Sequence, residues 1–224
     1  MRILALDGAL ARCAAAIVID GQIAAVRQVL VDRGHAGLLP SLVEAVLVQS
    51  GLGVRELDAI AVTVGPGSFT GLRAALALAH GLGTGAGLPV VGVGIAEAMA
   101  EALPALGGRQ LWVAIDSRRG RIFLHRMGHH GGAPEPTALD ALPIPDTRVA
   151  IAGDAAIEVA ARLAAMDCNV MLTDVRLPPI RQVALVAARR LAGDLPPLPA
   201  QPLYVDPPEA KLPAGGLRPA PQAR

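Results

Sequence analysis

The most distinctive chemical feature of this sequence is a glycine-rich loop at residues 65–73, Gly-Pro-Gly-Ser-Phe-Thr-Gly-Leu-Arg. It follows a predicted strand and begins a predicted helix, so its backbone amides could hold an anion. Gly65 and Gly67 permit unusual backbone angles, Pro66 stiffens the turn, and Ser68 can cap the helix. A purely structural strand–helix turn would use the same residues, and the sequence alone does not decide between these two explanations.

Two common enzyme motifs fit the sequence poorly. A nucleophile elbow around Ser68 would need glycine two residues before and after it, where this chain has Pro66 and Thr70. The segment 81–86 has the letters of a dinucleotide fingerprint, but it ends a helix instead of following a strand. Neither a serine hydrolase nor a dinucleotide-dependent enzyme is favoured.

The composition of the 224 residues indicates a globular protein with a large core, because 53% are hydrophobic and 17% charged. No uninterrupted apolar run is long enough for a membrane span, and Asp7 and Arg12 interrupt the apolar N-terminus, unlike in a secretory signal. Two cysteines without CxxC spacing favour a cytoplasmic protein. With a net charge of +1 and 2% aromatic residues, we do not expect independent RNA binding. We interpret the basic stretch at 118–121 as a solvated hairpin tip.

Residue periodicity predicts two α/β halves with similar openings. The predicted strands are 2–6, 13–19, 23–31, 59–64, 89–93, 111–115, 121–127 and 149–152, and the predicted helices are 38–50, 68–85, 95–103, 155–165 and 180–192. Each half begins with a strand that ends at an aspartate, Asp7 or Asp116, followed by a turn and a second strand. This weak duplication predicts two related lobes of the actin-like ATPase type, at 1–105 and 106–206, although two similar openings could also arise by coincidence. Prolines dominate from residue 195, and we expect 207–224 to be disordered.

The first two predicted helices have more apolar surface than one core can cover. Helix 38–50 is apolar almost all round, and helix 68–85 carries a strip of small residues beside its apolar face. One explanation is that the first helix is sandwiched within its own domain. The other is a docking surface for a partner subunit, for which the candidate residues are Leu38, Leu42, Val46, Ser68, Phe69, Gly71, Ala74, Leu78 and Gly81.

Several segments together resemble the TsaB (YeaZ) family, over roughly residues 1–206. They are Ile3–Asp7, His35, the loop 65–73, Gly87–Val93, Ala114–Arg118 and Pro202–Val205, and the loop is the most specific of them. The resemblance implies a two-lobed actin-like (ASKHA) fold and a dimerisation subunit that binds the TsaD-type catalytic paralogue and works with a TsaE-type ATPase. It further implies that the complex transfers threonylcarbamoyl to the adenosine beside the tRNA anticodon, and that this chain contacts tRNA only through the complex and forms a homodimer when alone.

Comparison with the TsaD-type metal motif predicts that this chain has neither a metal site nor transferase activity of its own. The two ligand histidines of that motif would fall at Ile95 and Met99. Isoleucine cannot coordinate a metal, and a lone thioether is a poor ligand for a hard cation.

The candidate nucleotide-binding residues are Asp7 and Asp116, with Gly153-Asp154 after a later strand. We interpret them as remnants that hold strand ends, and expect ATP or ADP only in the assembled complex. Three functional classes therefore compete: a scaffold subunit, a nucleotide-binding actin-like enzyme, and a glycoprotease-like peptidase with Ser68 as its nucleophile.

Overall fold

A computed structural model of the chain describes residues 1–31, 35–103, 105–128 and 132–205, and within these ranges it contains two five-stranded sheets. The strands of the first sheet and the helices that follow them are, in chain order, β1 (Arg2–Leu10), β2 (Arg12–Ile19), β3 (Gln22–Leu30), α1 (His35–Ser50), β4 (Ala59–Gly65), α2 (Phe69–Ala86), β5 (Val90–Gly94) and α3 (Ile95–Glu101). The following elements are β6 (Gln110–Asp116), β7 (Ile122–Arg126), β8 (Glu135–Thr137), β9 (Val149–Ala152), α4 (Ala156–Ala165), β10 (Val170–Leu172) and α5 (Ile180–Leu191).

The two sheets have the same topology. Their strand orders are β3-β2-β1-β4-β5 and β8-β7-β6-β9-β10. In each sheet the first three strands form an antiparallel meander, and the last two run parallel to the first strand. The prediction of a two-lobed α/β fold from the repeated strand–aspartate opening is therefore confirmed.

Helices cover both faces of the first sheet, which explains why β1 is apolar on both sides. Leu4 and Leu6 point towards α1 and α2, whereas Ile3 and Ala5 point towards α5. The burial of alternate residues on opposite faces fixes the register of this central strand.

The last helix, α5, lies far from its predicted place. It follows the second sheet in sequence, yet Val183, Ala184 and Ala187 pack in one core with β1, β2 and β5 of the first sheet. The division into 1–105 and 106–206 groups α5 with the second half of the chain, whereas α5 packs on the first sheet. An amphipathic helix does not itself specify which sheet it covers.

A third core joins the two sheets. Leu72 of α2 and Ile95 and Met99 of α3 pack with Ile115 and Phe123 of the second sheet. None of the helices within the described ranges is long and apolar enough to cross a membrane.

The prediction missed β8 and β10, which have three residues each. The tail at 207–224, which we expect to be disordered, lies outside the described residues. Residues 195–205 form neither helix nor strand, in agreement with their proline content.

Candidate functional site

Asp7 lies where β1 approaches the end of β4, and its side chain is fully buried. Its Oδ1 accepts hydrogen bonds from Thr63 Oγ1 at 2.8 Å and from the Ala9 backbone N at 3.1 Å. Arg12 Nη2 lies 3.4 Å from its Oδ2. Burial raises the pKa of the Asp7 carboxyl, against the lowering effect of Arg12 and these hydrogen bonds. Asp7 therefore uses its oxygens to join strand ends inside the protein.

The glycine-rich loop packs directly on the β1–β2 connection. A Cβ on Gly67 would lie 2.2 Å from the Ala9 carbonyl oxygen, so only glycine fits there. The Ser68 backbone N donates to that same oxygen at 2.7 Å, and Ser68 Oγ accepts from the Gly71 N at 3.2 Å. The Ser68 and Gly71 amides, two of those that could have bound an anion, are thus satisfied within the chain, which favours the structural explanation of the loop.

Asp116 differs from its counterpart Asp7 because its side chain is 43% exposed. Its Oδ1 accepts from the Arg118 backbone N at 2.7 Å, and its own backbone N donates to Asp154 Oδ1 at 2.9 Å. Burial raises the pKa of the Asp154 carboxyl, and the Asp116 carboxylate adds to that rise. These two acids lie at the carboxyl ends of the parallel strands β6 and β9, where open α/β sheets bind ligands.

The two positions that correspond to the TsaD-type metal ligands lie in the apolar core between the sheets. Ile95 and Met99 are fully buried there, one turn apart on α3. Across the described residues, no group of three or more His, Cys, Asp or Glu side chains is placed to hold a metal ion.

Helices α1 and α2 lie side by side on one face of the first sheet, and their inner residues complete its core. Val46 is fully buried in that core, so it does not belong to the surface for which it was a candidate. Gly71 is buried as well. Its carbonyl oxygen faces Gly8 of β1, where an added Cβ would lie 3.0 Å from that oxygen. Ser68 acts as the N-cap of α2.

The outer face of these helices is poor in charge, and its exposed apolar and glycine positions alternate with uncharged polar ones such as Ser41, Gln49, Thr70 and Thr84. Leu38, Leu42, Ala74 and Leu78 are half-buried, and these candidates pack against the edge of the core. Exposed positions include Val48 and Phe69, at 77% and 54% exposure, together with Ala77, Gly81 and Gly85. Glu44 and Arg73 are the only Asp, Glu, Lys or Arg residues in the two helices.

Sequence reasoning missed a cluster at the start of α2. The Arg73 guanidinium lies 3.6 Å from the centroid of the Phe69 ring, and its Nε donates to Tyr204 Oη at 2.9 Å. The Phe69 and Tyr204 rings are 5.8 Å apart. Tyr204 stood out in the sequence as part of a family motif, but no local pattern links it to a helix 131 residues earlier.

The two sheets have the same topology and are joined through a shared core, and each has an aspartate at or near the end of its first strand. This arrangement defines a two-lobed actin-like α/β protein. Comparison with known proteins agrees: YeaZ from Pseudomonas aeruginosa has the same fold, with a TM-score of 0.73 and 23% identity over 91% of this chain and 99% of that one.

The family model described as TsaD, tRNA N6-adenosine threonylcarbamoyltransferase, matches residues 26–163, more than half of the chain. The tRNA threonylcarbamoyladenosine biosynthesis protein TsaB of Escherichia coli is 38% identical over 124 residues, which are 55% of this chain and 53% of that protein. The matched region thus spans about half the length of this curated relative. An uncharacterized protein of Mycobacterium tuberculosis, Rv3421c, is 35% identical over 93% of both chains. The chain belongs to the TsaB (YeaZ) family, and it contains a TsaD-like domain.

Proposed function

We propose that this chain is a non-catalytic dimerisation subunit for threonylcarbamoyl transfer to the adenosine beside the tRNA anticodon. It acts by binding a TsaD-type catalytic subunit through the outer face of α1 and α2. The observation that carries the proposal is the composition of that face, where exposed Val48, Phe69, Ala77 and Gly81 accompany only two charged residues on two helices. A surface with few charges and with exposed apolar and small residues is typical of a protein–protein contact.

The choice of partner rests on the likeness between this chain and the transferase itself. The match to the threonylcarbamoyltransferase family covers residues 26–163, which include both α1 and α2. A TsaD-type protein would therefore carry an equivalent pair of helices. Two such pairs can pack around a pseudo-twofold axis, as identical surfaces do in symmetric dimers. The same reasoning gives a homodimer when the partner is absent.

The interior of the chain supports a role without catalysis of its own. Ile95 and Met99 fill the core where the paralogue would hold a metal, and Asp7 is sealed from solvent. In this proposal the partner supplies the transferase site, ATP or ADP binds only to the assembled complex, and a TsaE-type ATPase joins the larger assembly. Contact with tRNA is made through the complex.

The decisive experiment places a charge on the proposed surface. Ala77→Arg changes an exposed residue of α2, and Ala161→Arg makes the same change on the exposed side of α4. An arginine buried without a partner should cost about 2 kcal/mol or more, roughly 30-fold in Kd. Titration calorimetry against the TsaD-type subunit should show this loss for Ala77→Arg and an unchanged Kd for Ala161→Arg. Normal affinity of both variants would place the interface elsewhere.

A nucleotide-binding enzyme is the second candidate, and the exposed Asp116 beside Asp154 favours it. Equilibrium binding of ATP to the isolated chain distinguishes the two candidates. Saturable binding that Asp116→Asn abolishes would support the enzyme, whereas binding seen only with the partner present would support the subunit.

A further inference from the structure

The segment that follows α5, residues 195–205, is a strap across the first sheet and α2. Arg190, whose side chain is 5% exposed, fixes its beginning. Its Nε donates to the Pro196 carbonyl oxygen at 2.6 Å, its Nη1 to the Gly92 carbonyl oxygen at 2.8 Å, and its Nη2 to Glu97 Oε1 at 2.6 Å. One guanidinium thus ties the strap to both β5 and α3.

The middle of the strap covers the free edge of β5. The Gly92 N donates to the Leu198 carbonyl oxygen at 3.2 Å, and a Cβ on Gly92 would lie 2.5 Å from the Pro199 carbonyl oxygen. Ala200 is buried in the core beneath α2, and its carbonyl oxygen lies 2.7 Å from His80 Nε2. Because the strap's prolines lack an N–H, the strap covers the edge of β5 without itself presenting a complete row of backbone hydrogen-bond donors.

The end of the strap brings Tyr204 to the first turn of α2. The Leu203 N donates to the Val64 carbonyl oxygen at 2.8 Å, which positions the next residue beside Arg73. Tyr204 is 50% exposed and Phe69 54% exposed, and the Arg73 guanidinium lies 3.6 Å from the centroid of the Phe69 ring and 5.7 Å from that of the Tyr204 ring. We call these three side chains the Tyr204 stack.

We infer that the Tyr204 stack is an anchor of the partner-docking surface, and that Tyr204 is a positioning residue that holds Arg73 and Phe69 in the conformation the TsaD-type subunit binds. This inference rests on the proposed function. Phe69, Arg73, Ala77 and Gly81 are spaced four residues apart, so they form one ridge of α2 that is continuous with the proposed interface. Tyrosine and arginine are, with tryptophan, the residue types enriched among energetically dominant interface contacts.

Two further features favour a protein over a nucleobase as the occupant. Arg73 already covers a face of the Phe69 ring at 3.6 Å, so that face is not free to stack on a base. The same contact and the Tyr204 hydrogen bond restrict Arg73 before any partner arrives, which lowers the entropy lost on binding.

The test compares Tyr204→Ala, Tyr204→Phe and Leu203→Ala in the full chain, with Kd for the TsaD-type subunit measured at 25 °C on protein shown to be folded by circular dichroism. Tyr204→Ala should weaken binding about 10-fold. Tyr204→Phe keeps the ring but loses the bond to Arg73, so it should restore part of the affinity. Leu203→Ala, one residue earlier on the strap, should bind like the wild type. If Tyr204→Ala does not fold, Arg73→Gln on the helix surface tests the same stack.

The outcomes separate this inference from the proposed function. Wild-type affinity of Tyr204→Ala together with loss in Ala77→Arg would overturn the inference and leave the docking surface in place. Wild-type affinity of both would overturn the proposed function. An equal loss in Leu203→Ala and Tyr204→Ala would show that only the strap's fold matters, against an anchor. Direct binding of tRNA that depends on Tyr204, with partner affinity unchanged, would assign the stack to nucleic acid and also overturn the inference.

Discussion

Helix α2 offers two glycines, two residues apart, for which alanine should have opposite effects. A Cβ on Gly81 would meet no atom within 4 Å, whereas one on Gly83 would lie 2.5 Å from Val90 Cγ2 and 3.1 Å from the Leu88 carbonyl oxygen. Gly81→Ala gains helix propensity without a clash, so we expect a stabilisation of roughly 0.5–1 kcal/mol. Gly83→Ala overpacks a site beside a stiff β-branched side chain and should cost about 1–3 kcal/mol.

Thermal unfolding of the free chain measures both effects. For a chain of this size about 1 kcal/mol shifts Tm by roughly 2–4 °C, so Gly81→Ala should raise Tm by about 1–4 °C and Gly83→Ala should lower it. A shift of the same sign in both variants would refute our account of the helix surface. If the proposed partner approaches closely at Gly81, the added methyl group should also weaken its binding at least about fivefold, through overpacking of about 1 kcal/mol or more. An unchanged Kd would mean that no close approach occurs there.

Three further predictions concern buried polar groups. Asp7→Asn should lower the free energy of unfolding by about 3 kcal/mol in urea titrations, because Arg12 would remain buried without its counter-charge; a loss below about 1 kcal/mol would contradict this. Burial, and to a smaller extent the Asp7 charge, raises the pKa of the Cys13 thiol to about 11. Little reactive thiolate exists at pH 8, so Cys13 in the folded protein should resist iodoacetamide. Rapid labelling of Cys13 would contradict this packing. Burial lowers the pKa of His125 below its usual 6.5, so as pH falls the unfolded chain binds the proton before the folded chain does. The free energy of unfolding should therefore decrease as pH drops through 6.5. His125→Gln should reduce this pH dependence of stability, and an unchanged pH dependence would exclude His125 as its source.

The sequence contained enough information to predict the two lobes but not every contact between elements. Apolar segments that lead into Asp7 and Asp116, each followed by a turn and a second strand, made two related α/β lobes predictable. The strand order within each sheet was not predicted. Strands β8 and β10 could not be found, since three residues are too few to show alternation and β8 contains Pro136. The position of α5 could not be predicted, because it depends on which sheet has an apolar face that no other helix covers. That is decided only in the assembled fold.

The candidate surface was predictable as a helix pair but not residue by residue. Helix α1 is apolar on nearly every side, so its sequence could not show that Leu39, Val43 and Val46 would face the core while Val48 faces solvent. The Tyr204 stack depends on a contact across 131 residues, for which local periodicity gives no signal. Both gaps have one cause: local pattern indicates that apolar surface exists, whereas tertiary packing decides which part of it remains exposed.

The two lobes share one topology, but Asp7 is buried whereas Asp116 is partly exposed, and the glycine-rich loop lies only at the strand end of the first lobe. In the first lobe, Ser68 N and Gly67 close upon the Ala9 carbonyl oxygen, so the chain itself fills the end of the parallel strands, where this kind of sheet would bind a ligand. The second lobe leaves Asp116 at the surface beside Asp154. Because the loop that packs on the Ala9 carbonyl oxygen also caps α2 through Ser68, the filling of this strand end and the start of the docking helix depend on the same few residues. We therefore expect changes in this loop to affect partner binding before they expose a nucleotide site.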